Sequence, residues 1–530
     1  MKTKAQVIDI EDQSMHAEVQ FKAALAMYLE HRKHLLVIIF LFLAAFGIRL
    51  YHINEPPLDF HATRQYRYFL DARKYYYDAL QSVPDWKKQI AVINKQTEGT
   101  LEPTIMPFIV SLAYRVTGGE QFWIPRLLSS VFWLIGGGFL YLIAKKITSM
   151  DAAVFSTAFY LFLPFGVSAS RSFQPDPMMI MMLLLSVFSI LRYHDRPSKF
   201  TLAIGTAAAA LAFLIKPVCL FTIIGAFLSL AIYKQGVRRA VVSPGFLVFT
   251  VISVLPPMIF YLYGIFSGGL LRSQAERSFL PYLFFDPFFW KNWLNNIRLV
   301  VGFTAFIGAL LGTLMLRDGA PKALLIGLWI GYSVFCLAFN YPMAAHDYYQ
   351  LQFIPIVALS IGPIGALVMD RLKQLPTLWR MAAWASLLLA LILSILVARS
   401  RLINPDFERK VRIAQEIGER VNHSTKNVFL SSDYGRQLRY EGELAGYAWP
   451  LNSDFEWGRL AKTGDKFNAE ERFNAWFLRY SPEYFIVTDL REFEEQGDLR
   501  NFLTENFPML VQNDDYLIFD LRRLIRTTTQ

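Results

Sequence analysis

Residues 55–77, EPPLDFHATRQYRYFLDARKYYY, open a segment that is dense in charge and tyrosine and continues to Leu101. Apolar stretches lie on both sides of it. A chain that only had to return across a membrane would need a short polar turn. This segment spans roughly fifty residues instead, a length that is typical of functional loops. We therefore predict that this loop carries the chemistry and that the apolar stretches form a scaffold that holds it at a membrane surface.

The composition is that of a membrane protein with many spans. Hydrophobic residues make up 54% of the 530 residues, and apolar runs of about 18–20 residues recur along the chain. The formal net charge of +10 is typical of basic loops on the cytoplasmic side of a membrane, so it does not indicate a nucleic-acid partner. Both cysteines, Cys219 and Cys336, lie in apolar runs, which argues against a disulfide framework or a cysteine zinc site.

The basic residues orient the predicted spans. Residues 1–33 have mixed charge and lack the apolar core of a signal peptide, so we predict a cytoplasmic tail that ends in the basic sequence HRKH. If residues 103–117 form a non-spanning interfacial or re-entrant helix, the later loops rich in lysine or arginine fall inside and the C-terminus falls outside. The predicted spans are residues 34–51, 125–144, 151–168, 177–194, 199–215, 217–233, 243–263, 296–316, 322–340, 351–369 and 379–398.

Beyond about residue 400 the composition becomes that of an ordinary soluble domain. Short strand-like segments (NVFLSS, EYFIVTDL and YLIFDL) alternate with helical segments at residues 407–421 and 468–480, which favours a small α/β domain. We predict the following domains: a tail at residues 1–33, a transmembrane domain at residues 34–398 with its first outer loop at residues 52–124, and an extracytoplasmic α/β domain at residues 399–530.

Two acidic residues at the membrane edge are candidates for function, because ionisable groups are costly there. Asp59, which follows Pro56-Pro57, can act as a general base or can cap the helix that begins near Thr63. Asp176, in SASRSFQPDP, can likewise cap the helix that follows it. Alternatively, the two carboxylates form a pair that shares an acceptor hydroxyl or a divalent cation.

Basic residues lie at the same predicted membrane face. Lys216, just before Pro217, either extends to the bilayer surface or binds an anionic head group, and Arg126 has the same two interpretations. Arg64 and Arg67 extend this basic rim.

His346 is followed by Asp347, Tyr348 and Tyr349, and it is either a solvated loop residue beside an aromatic interface belt or a functional histidine. The sequence contains no Walker loop, no GxGxxG after a strand, no HExxH and no GxSxG, so nucleotide or protease chemistry of the soluble type has no support.

Taken together, these motifs resemble the GT-C superfamily of polyprenyl-phosphate-sugar-dependent glycosyltransferases. Within it, the chain is similar to the bacterial aminoarabinose transferase and protein O-mannosyltransferase group, glycosyltransferase family 39. The resemblance covers residues 35–370, and its elements occur in the family's order. They are Asp59, EPTIMPF at residues 102–108, Arg126-Leu127, SASRSFQPDP with Asp176, Lys216, and the run from His346 to Pro355.

The resemblance implies a polytopic α-helical membrane protein of the GT-C type, with about eleven spans and interfacial helices, in the inner membrane of a bacterium. It also implies roles for the residues. Asp59 would be the catalytic base and Asp176 its partner carboxylate. Lys216 would bind the donor phosphate with Arg126, Arg64 and Arg67. The residues expected at the substrate are His61, Glu102, His346, Tyr348 and Tyr349.

Two departures from the family pattern concern metal binding. Many relatives have a second acidic residue directly after the first-loop aspartate, where this chain has Phe60-His61. Relatives also carry lysine or a Glu-Lys pair before the interfacial proline, where this chain has Leu101-Glu102. Both departures weaken the expectation of a divalent cation held by Asp59 and Asp176.

The predicted activity is inverting transfer of a sugar from a polyprenyl-monophosphate donor to a hydroxyl acceptor at the outer face of the membrane. The acceptor is a glycan, a lipid or a protein, and membrane lipids surround the enzyme. One alternative is a ligase or polymerase of lipid-linked glycans, which would require a lipid diphosphate donor. Another is a lipid flippase or transporter, for which an internal repeat and charges near the bilayer midplane would be expected.

Overall fold

The computed structural model describes residues 32–267, 269–403, 406–460, 462–464 and 466–523. Residues 1–31 of the predicted cytoplasmic tail, which was placed at residues 1–33, lie outside the described residues. From residue 32 to residue 400 the described chain is mostly helical. Its α-helices are α1 (Arg32–Leu50), α2 (Ala62–Asp78), α3 (Asp85–Glu98), α4 (Ile105–Thr117), α5 (Trp123–Ile147), α6 (Met150–Phe162), α7 (Pro164–Arg171), α8 (Asp176–Asp195), α9 (Lys199–Ile215), α10 (Leu220–Gln235), α11 (Val237–Val241), α12 (Pro244–Phe266), α13 (Leu270–Ser278), α14 (Pro287–Val300), α15 (Phe303–Met315), α16 (Ala320–Ala338), α17 (Asn340–Ala345), α18 (Phe353–Ser360), α19 (Gly362–Gln374) and α20 (Thr377–Ser400).

The helix lengths confirm a polytopic membrane protein. Within the described residues, eight helices are long and apolar enough to cross a membrane, and two bent helix pairs bring the number to at most ten. The predicted span at residues 199–215 corresponds to α9, which has only 17 residues. The predicted non-spanning segment corresponds to α4, whose 13 residues rise about 20 Å, less than the thickness of a bilayer core.

Two of the predicted spans are not straight. The span predicted at residues 151–168 is bent by 61° between α6 and α7, because Leu163 adopts an extended conformation before Pro164, which cannot continue the hydrogen-bond ladder. The span predicted at residues 296–316 contains a 90° bend between α14 and α15. Gly302 lies at that bend with φ of 80°, a conformation that glycine adopts at little cost.

The aromatic face of α2 is covered by protein. Tyr66 and Phe69 have no exposed surface. The ring of Phe69 lies 5.3 Å from that of Tyr440, and Tyr76 lies 5.7 Å from Tyr114 of α4. These rings therefore form a core with α4 and with the C-terminal part of the chain.

Residues 406–523, called the C-terminal unit here, form a small α/β fold. The strands predicted from NVFLSS, EYFIVTDL and YLIFDL are confirmed as β1, β3 and β5, whereas the short β2 and the mostly exposed β4 were not predicted. The sheet order is β2-β1-β3-β5-β4, with β1 parallel to β2 and β3, and β5 antiparallel to β3 and β4. The elements are α21 (Asp406–Arg420), β1 (Asn427–Leu430), α22 (Arg436–Glu441), β2 (Gly446–Ala448), α23 (Asn452–Leu460), α24 (Ala469–Trp476), β3 (Tyr484–Val487), α25 (Leu490–Glu495), α26 (Gly497–Asn506), β4 (Met509–Gln512) and β5 (Leu517–Asp520).

The C-terminal unit docks on the first loop through α22. Arg73 of α2 donates to the carbonyl oxygen of Tyr440 over 2.6 Å and pairs with Glu120. The hydroxyl of Tyr66 donates to Oε1 of Glu441 over 2.9 Å. Burial raises the pKa of Glu441 to about 7, so this carboxyl binds a proton more tightly in the folded protein than in the unfolded chain. The docking contact therefore depends on pH.

We predict that Glu441→Gln stabilises the protein at alkaline pH. The wild-type carboxyl must ionise in a buried place above about pH 7, so its contribution to the stability falls as the pH rises from about 4.5 to about 7. The amide keeps an acceptor for Tyr66 without a charge. The thermal midpoint in detergent should be higher than that of the wild type at pH 8, corresponding to on the order of 2 kcal/mol, and nearly equal to it at pH 5.

The control for this experiment is Glu419→Gln, an exposed position on α21. It should melt with the wild type at both pH values. A Glu441→Gln protein that melts at or below the wild-type midpoint at pH 8 would show that the ionised carboxylate is well tolerated at this contact.

Candidate active site

Asp59 is buried between two arginines. Nη2 of Arg126, in the first turn of α5, donates to Oδ1 of Asp59 over 2.8 Å, and Nε of Arg171, at the end of α7, lies 3.3 Å from Oδ2. Gln65 donates to Oδ1 over 3.2 Å. The side chains of Asp59, Arg126 and Arg171 have no exposed surface. This carboxylate therefore ties the start of the first loop to two membrane helices.

Asp176 lies at the N-terminus of α8, where the helix dipole favours a carboxylate, and it holds two cations. Nζ of Lys216 is 2.8 Å from Oδ1, and Nη2 of Arg64 is 3.2 Å from Oδ2. Only 1% of the Asp176 side chain is exposed. Lys216 precedes Pro217 in the break between α9 and α10, whereas Arg64 belongs to α2. One buried carboxylate thus fixes cations from two distant parts of the chain.

A cavity of about 820 Å³ opens above these two cations. Tyr348 and Tyr349 cover them: the guanidinium carbon of Arg64 lies 3.9 Å from the ring centre of Tyr348, and Nζ of Lys216 lies 4.7 Å from that of Tyr349. Cations and aromatic faces attract each other, most strongly where water is excluded. His346 stacks on Tyr348 at 5.0 Å, and burial and the nearby Arg64 lower the pKa of His346 to about 4, so it is neutral near pH 7.

Glu102 is the carboxylate of the cavity nearest in sequence to α4. Its Oε2 accepts a short hydrogen bond from the hydroxyl of Tyr68. No lysine or arginine among the described residues lies within ion-pair distance of it, and its Oε1 accepts no hydrogen bond from them. Burial alone would lower the pKa of the Arg64 guanidinium. Nearby acidic groups outweigh this effect and raise it; they are Asp176, Tyr348, Tyr68 and Glu102. Glu102 is therefore close enough to Arg64 to interact with it electrostatically.

Glu98 joins the first loop to the C-terminal unit. Nε of Arg436 donates to both carboxylate oxygens over 2.9 and 3.0 Å, Arg439 forms a short contact with Oε1, and Nη1 of Arg67 lies 4.0 Å from Oε2. Burial alone would raise the pKa of Glu98, but Arg436 and Arg439 lower it to about 2. The sequence did not predict this cluster, because Glu98 has no local motif and two of its partners follow it by more than three hundred residues.

The structure separates the predicted site residues into two groups. Those that line the large cavity are Arg64, Arg67, Glu102, Lys216, His346, Tyr348 and Tyr349. Asp59 and His61 instead border a second cavity of about 580 Å³, where His61 lies 2.7 Å from Asp347, and Arg126 is engaged by Asp59. This arrangement therefore does not support the prediction that Arg126 binds a phosphate in the large cavity.

The two aspartates do not form a site for a divalent cation. Each carboxylate already has its own pair of cationic partners, and a metal ion would have to displace them. No group of three or more histidine, cysteine, aspartate or glutamate side chains that could hold a metal ion occurs in the part of the chain that the structure describes. The residues present do not fit a metal at the predicted position.

Solved structures of two other proteins share this fold. ArnT from Cupriavidus metallidurans, crystallised with undecaprenyl phosphate, has a TM-score of 0.55 and 12% identity over 91% of this chain and 97% of ArnT. AglB, an oligosaccharyltransferase from Archaeoglobus fulgidus, is similar over 90% of this chain and 72% of AglB in its complex with an inhibitory peptide and dolichol-phosphate, with a TM-score of 0.53 and 12% identity. A further structure of the Archaeoglobus fulgidus oligosaccharyltransferase, with zinc and sulfate, has a TM-score of 0.51 and 13% identity over 89% of this chain and 71% of that protein. No curated protein sequence matches the chain significantly.

These likenesses define the class. The chain has the fold of the GT-C superfamily of membrane glycosyltransferases, and the resemblance that its motifs indicated is confirmed. Within this class, residues 102–263 match the family of dolichyl-phosphate-mannose-protein mannosyltransferases. The matched region begins at Glu102 and includes Asp176 and Lys216.

We predict that Glu98→Gln destabilises the contact between the first loop and the C-terminal unit. Three arginines would then face one another without a compensating charge, and removing one partner from a buried ion pair costs on the order of 3 kcal/mol. The thermal midpoint at pH 7 should fall relative to the wild type. Because the pKa of Glu98 is lowered, its contribution is complete above about pH 4.5 and is lost as the pH falls towards about 2, so the difference between the two proteins should shrink on acidification.

Limited proteolysis gives an independent readout, since loosening of this contact should expose the segment around Gly99 to cleavage. Glu505→Gln, an exposed position on α26, is the control and should change neither readout. Unchanged melting and unchanged cleavage of Glu98→Gln would show that the cluster does not hold the two parts together.

Proposed function

We propose that the large cavity is the active site of an inverting glycosyltransferase that uses a polyprenyl-monophosphate sugar as its donor. The observation that carries this proposal is the pair of cations at the cavity floor, Lys216 and Arg64, held by the single carboxylate of Asp176. This trio has a net positive charge in a buried place and favours a phosphate. The undecaprenyl phosphate and dolichol-phosphate bound to ArnT and AglB support a lipid phosphate as its ligand.

The cations assist departure of the lipid phosphate. When the bond between the anomeric carbon and the phosphate oxygen breaks, its electron pair remains on the phosphate. Lys216 and Arg64, already fixed by Asp176, stabilise the charge that develops there without having to reorganise. Asp176 is then a positioning residue for two cations and does not itself contact the acceptor.

Glu102 takes the proton of the acceptor hydroxyl in this mechanism. The acceptor oxygen attacks the anomeric carbon from the face opposite the phosphate, which inverts the configuration, and the proton passes to the free oxygen of Glu102. The sequence assigned this role to Asp59. However, the Asp59 carboxylate is fully buried between Arg126 and Arg171 and does not line the large cavity, so we assign Asp59 to holding the loop in place.

The same proposal includes the identity of the donor lipid and the location of the protein. We infer that the donor lipid is undecaprenyl phosphate and that the protein lies in the inner membrane of a bacterium. With α9 counted as an eleventh span beside the ten given by the long helices and the bent pairs, the N-terminus would be cytoplasmic, and the cavity and the C-terminal unit would face the outer side. The lysine- and arginine-rich loops on the opposite side of the spans support this orientation. Transfer of a whole glycan from a lipid diphosphate is the competing activity.

We expect Glu102→Gln to lower kcat by about 100-fold or more with little change in KM for the donor, because loss of a general base affects the chemical step. The assay follows transfer from a radiolabelled polyprenyl-monophosphate sugar to an outer-membrane glycolipid extract by the purified protein in detergent. Asp59→Asn, run alongside, should lose thermal stability, and this loss separates a structural role from a catalytic one. Full activity of Glu102→Gln together with an inactive but stably folded Asp59→Asn would return the role of base to Asp59.

We expect Lys216→Met to weaken donor binding by about tenfold or more, because a charge-assisted contact with the phosphate is lost. The measurement is the equilibrium binding of a polyprenyl monophosphate in detergent. Lys234→Met, an exposed position at the other end of α10, is the matched control and should bind as the wild type does. Equal binding by Lys216→Met and the wild type, with both proteins folded, would remove Lys216 from the phosphate site.

A further inference from the structure

One wall of the large cavity is built by the C-terminal unit. This wall consists of aromatic and basic side chains, with Tyr447 and Tyr480 stacked at 4.1 Å and Trp476 presenting 41% of its surface. Exposed aromatic faces of this kind offer apolar surface to the carbon–hydrogen faces of sugar rings, with polar groups beside them that fix orientation. The wall is therefore suited to a saccharide.

The charges of the cavity do not balance. Seven cationic side chains line it against the three carboxylates of Glu98, Glu102 and Asp454, and Asp176 behind Lys216 supplies a fourth carboxylate. His346 is neutral near pH 7. The excess is thus three positive charges, and the single negative charge of a donor phosphodiester neutralises only one of them.

Two of these seven cationic side chains have no carboxylate partner among the described residues. Arg64, Arg67, Arg436 and Arg439 all have carboxylate partners, and so does Lys216. Arg277 of α13 and Arg479, which follows α24, form no ion pair with any described residue. Arg479 lies over the ring of Tyr480 at 4.6 Å, so the unpaired charge and the stacked aromatic rings lie at the same place.

We propose that this wall is an acceptor subsite for an acidic saccharide, whose sugar rings contact Tyr480 and Trp476 and whose anionic groups meet Arg479 and Arg277. The inference rests on the proposed function, since it names the class of acceptor for the same cavity. The anion is either a carboxylate or a phosphate on the glycan. Both provide the planar or tetrahedral oxygen groups that a guanidinium binds through paired hydrogen bonds.

Binding of defined oligosaccharides to the full-length protein in detergent tests the subsite without relying on transfer. The probes are a uronic-acid tetrasaccharide, a phosphorylated tetrasaccharide and a neutral tetrasaccharide. The affinity of the protein for each probe is measured by calorimetry at low and at physiological salt. At least one acidic probe should bind about tenfold or more tightly than the neutral one, and salt should weaken its binding. The acidic probe that binds identifies the source of the anion. Equal affinity for all three probes would overturn the proposal.

Arg479→Gln should lose about tenfold of the affinity for the acidic probe and leave that for the neutral probe unchanged. Trp476→Ala should weaken both. Arg459→Gln, an exposed arginine of α23 in the same unit that does not line this cavity, is the matched control and should bind as the wild type. Wild-type affinity of Arg479→Gln for the acidic probe would overturn the subsite even if the aromatic wall binds sugars.

A parallel measurement of polyprenyl-phosphate binding separates this inference from the proposed function. If lipid phosphate binds and transfer occurs but Arg479→Gln has no effect on acidic acceptors, the subsite fails and the glycosyltransferase remains. If no lipid phosphate binds while the acidic probe binds in an Arg479-dependent manner, the proposed donor fails and the saccharide subsite is upheld.

Discussion

The arrangement of the large cavity depends on the ion pairs that Asp176 makes with Lys216 and Arg64. Charges that leave water are tolerated only when their partners compensate the loss of hydration, so removing any member of this trio leaves an uncompensated buried charge. Asp176 begins a membrane helix, Lys216 lies in a break between two others, and Arg64 belongs to the first loop. Their pairing fixes the position of α2 against the membrane helices, and the rest of the cavity is built on α2.

Once α2 is fixed, its two faces determine what covers it. One face turns Arg64 and Tyr68 towards the cavity, and the other packs Tyr66 and Phe69 against Tyr440 of the C-terminal unit. Glu98 at the end of α3 then binds Arg436 and Arg439 of that unit. The C-terminal unit is thereby one wall of the cavity, so the cavity is built jointly by the membrane helices, the first loop and the C-terminal unit.

The sequence predicted those features that depend on local composition. Apolar length located the membrane helices, and short β-branched and aromatic segments located three of the five strands. Of the residues in the family motifs, Glu102, Lys216, His346, Tyr348 and Tyr349 line one cavity. The bends at Pro164 and Gly302 were missed because an apolar run of the right length looks the same whether it is straight or bent.

The partners of the charged residues could not be predicted, because they are set by tertiary contacts between distant segments. Asp59 was expected to be a free base, yet the arginines that bury it come from two other helices. Glu98 gave no signal at all, since its main partners lie in the C-terminal unit. Glu102 was expected only to contact substrate, and its freedom from a cationic partner became visible only when the positions of the surrounding lysines and arginines were known.

The measurement that tests this account most directly is the anomeric configuration of the product formed by the purified wild-type protein. Polyprenyl-monophosphate and polyprenyl-diphosphate donors that carry the same labelled sugar would be offered in parallel, and the new glycosidic bond would be assigned by NMR. The account predicts product from the monophosphate donor alone, with an anomeric configuration opposite to that of the donor. Product with retained configuration, or product from the diphosphate donor only, would contradict it.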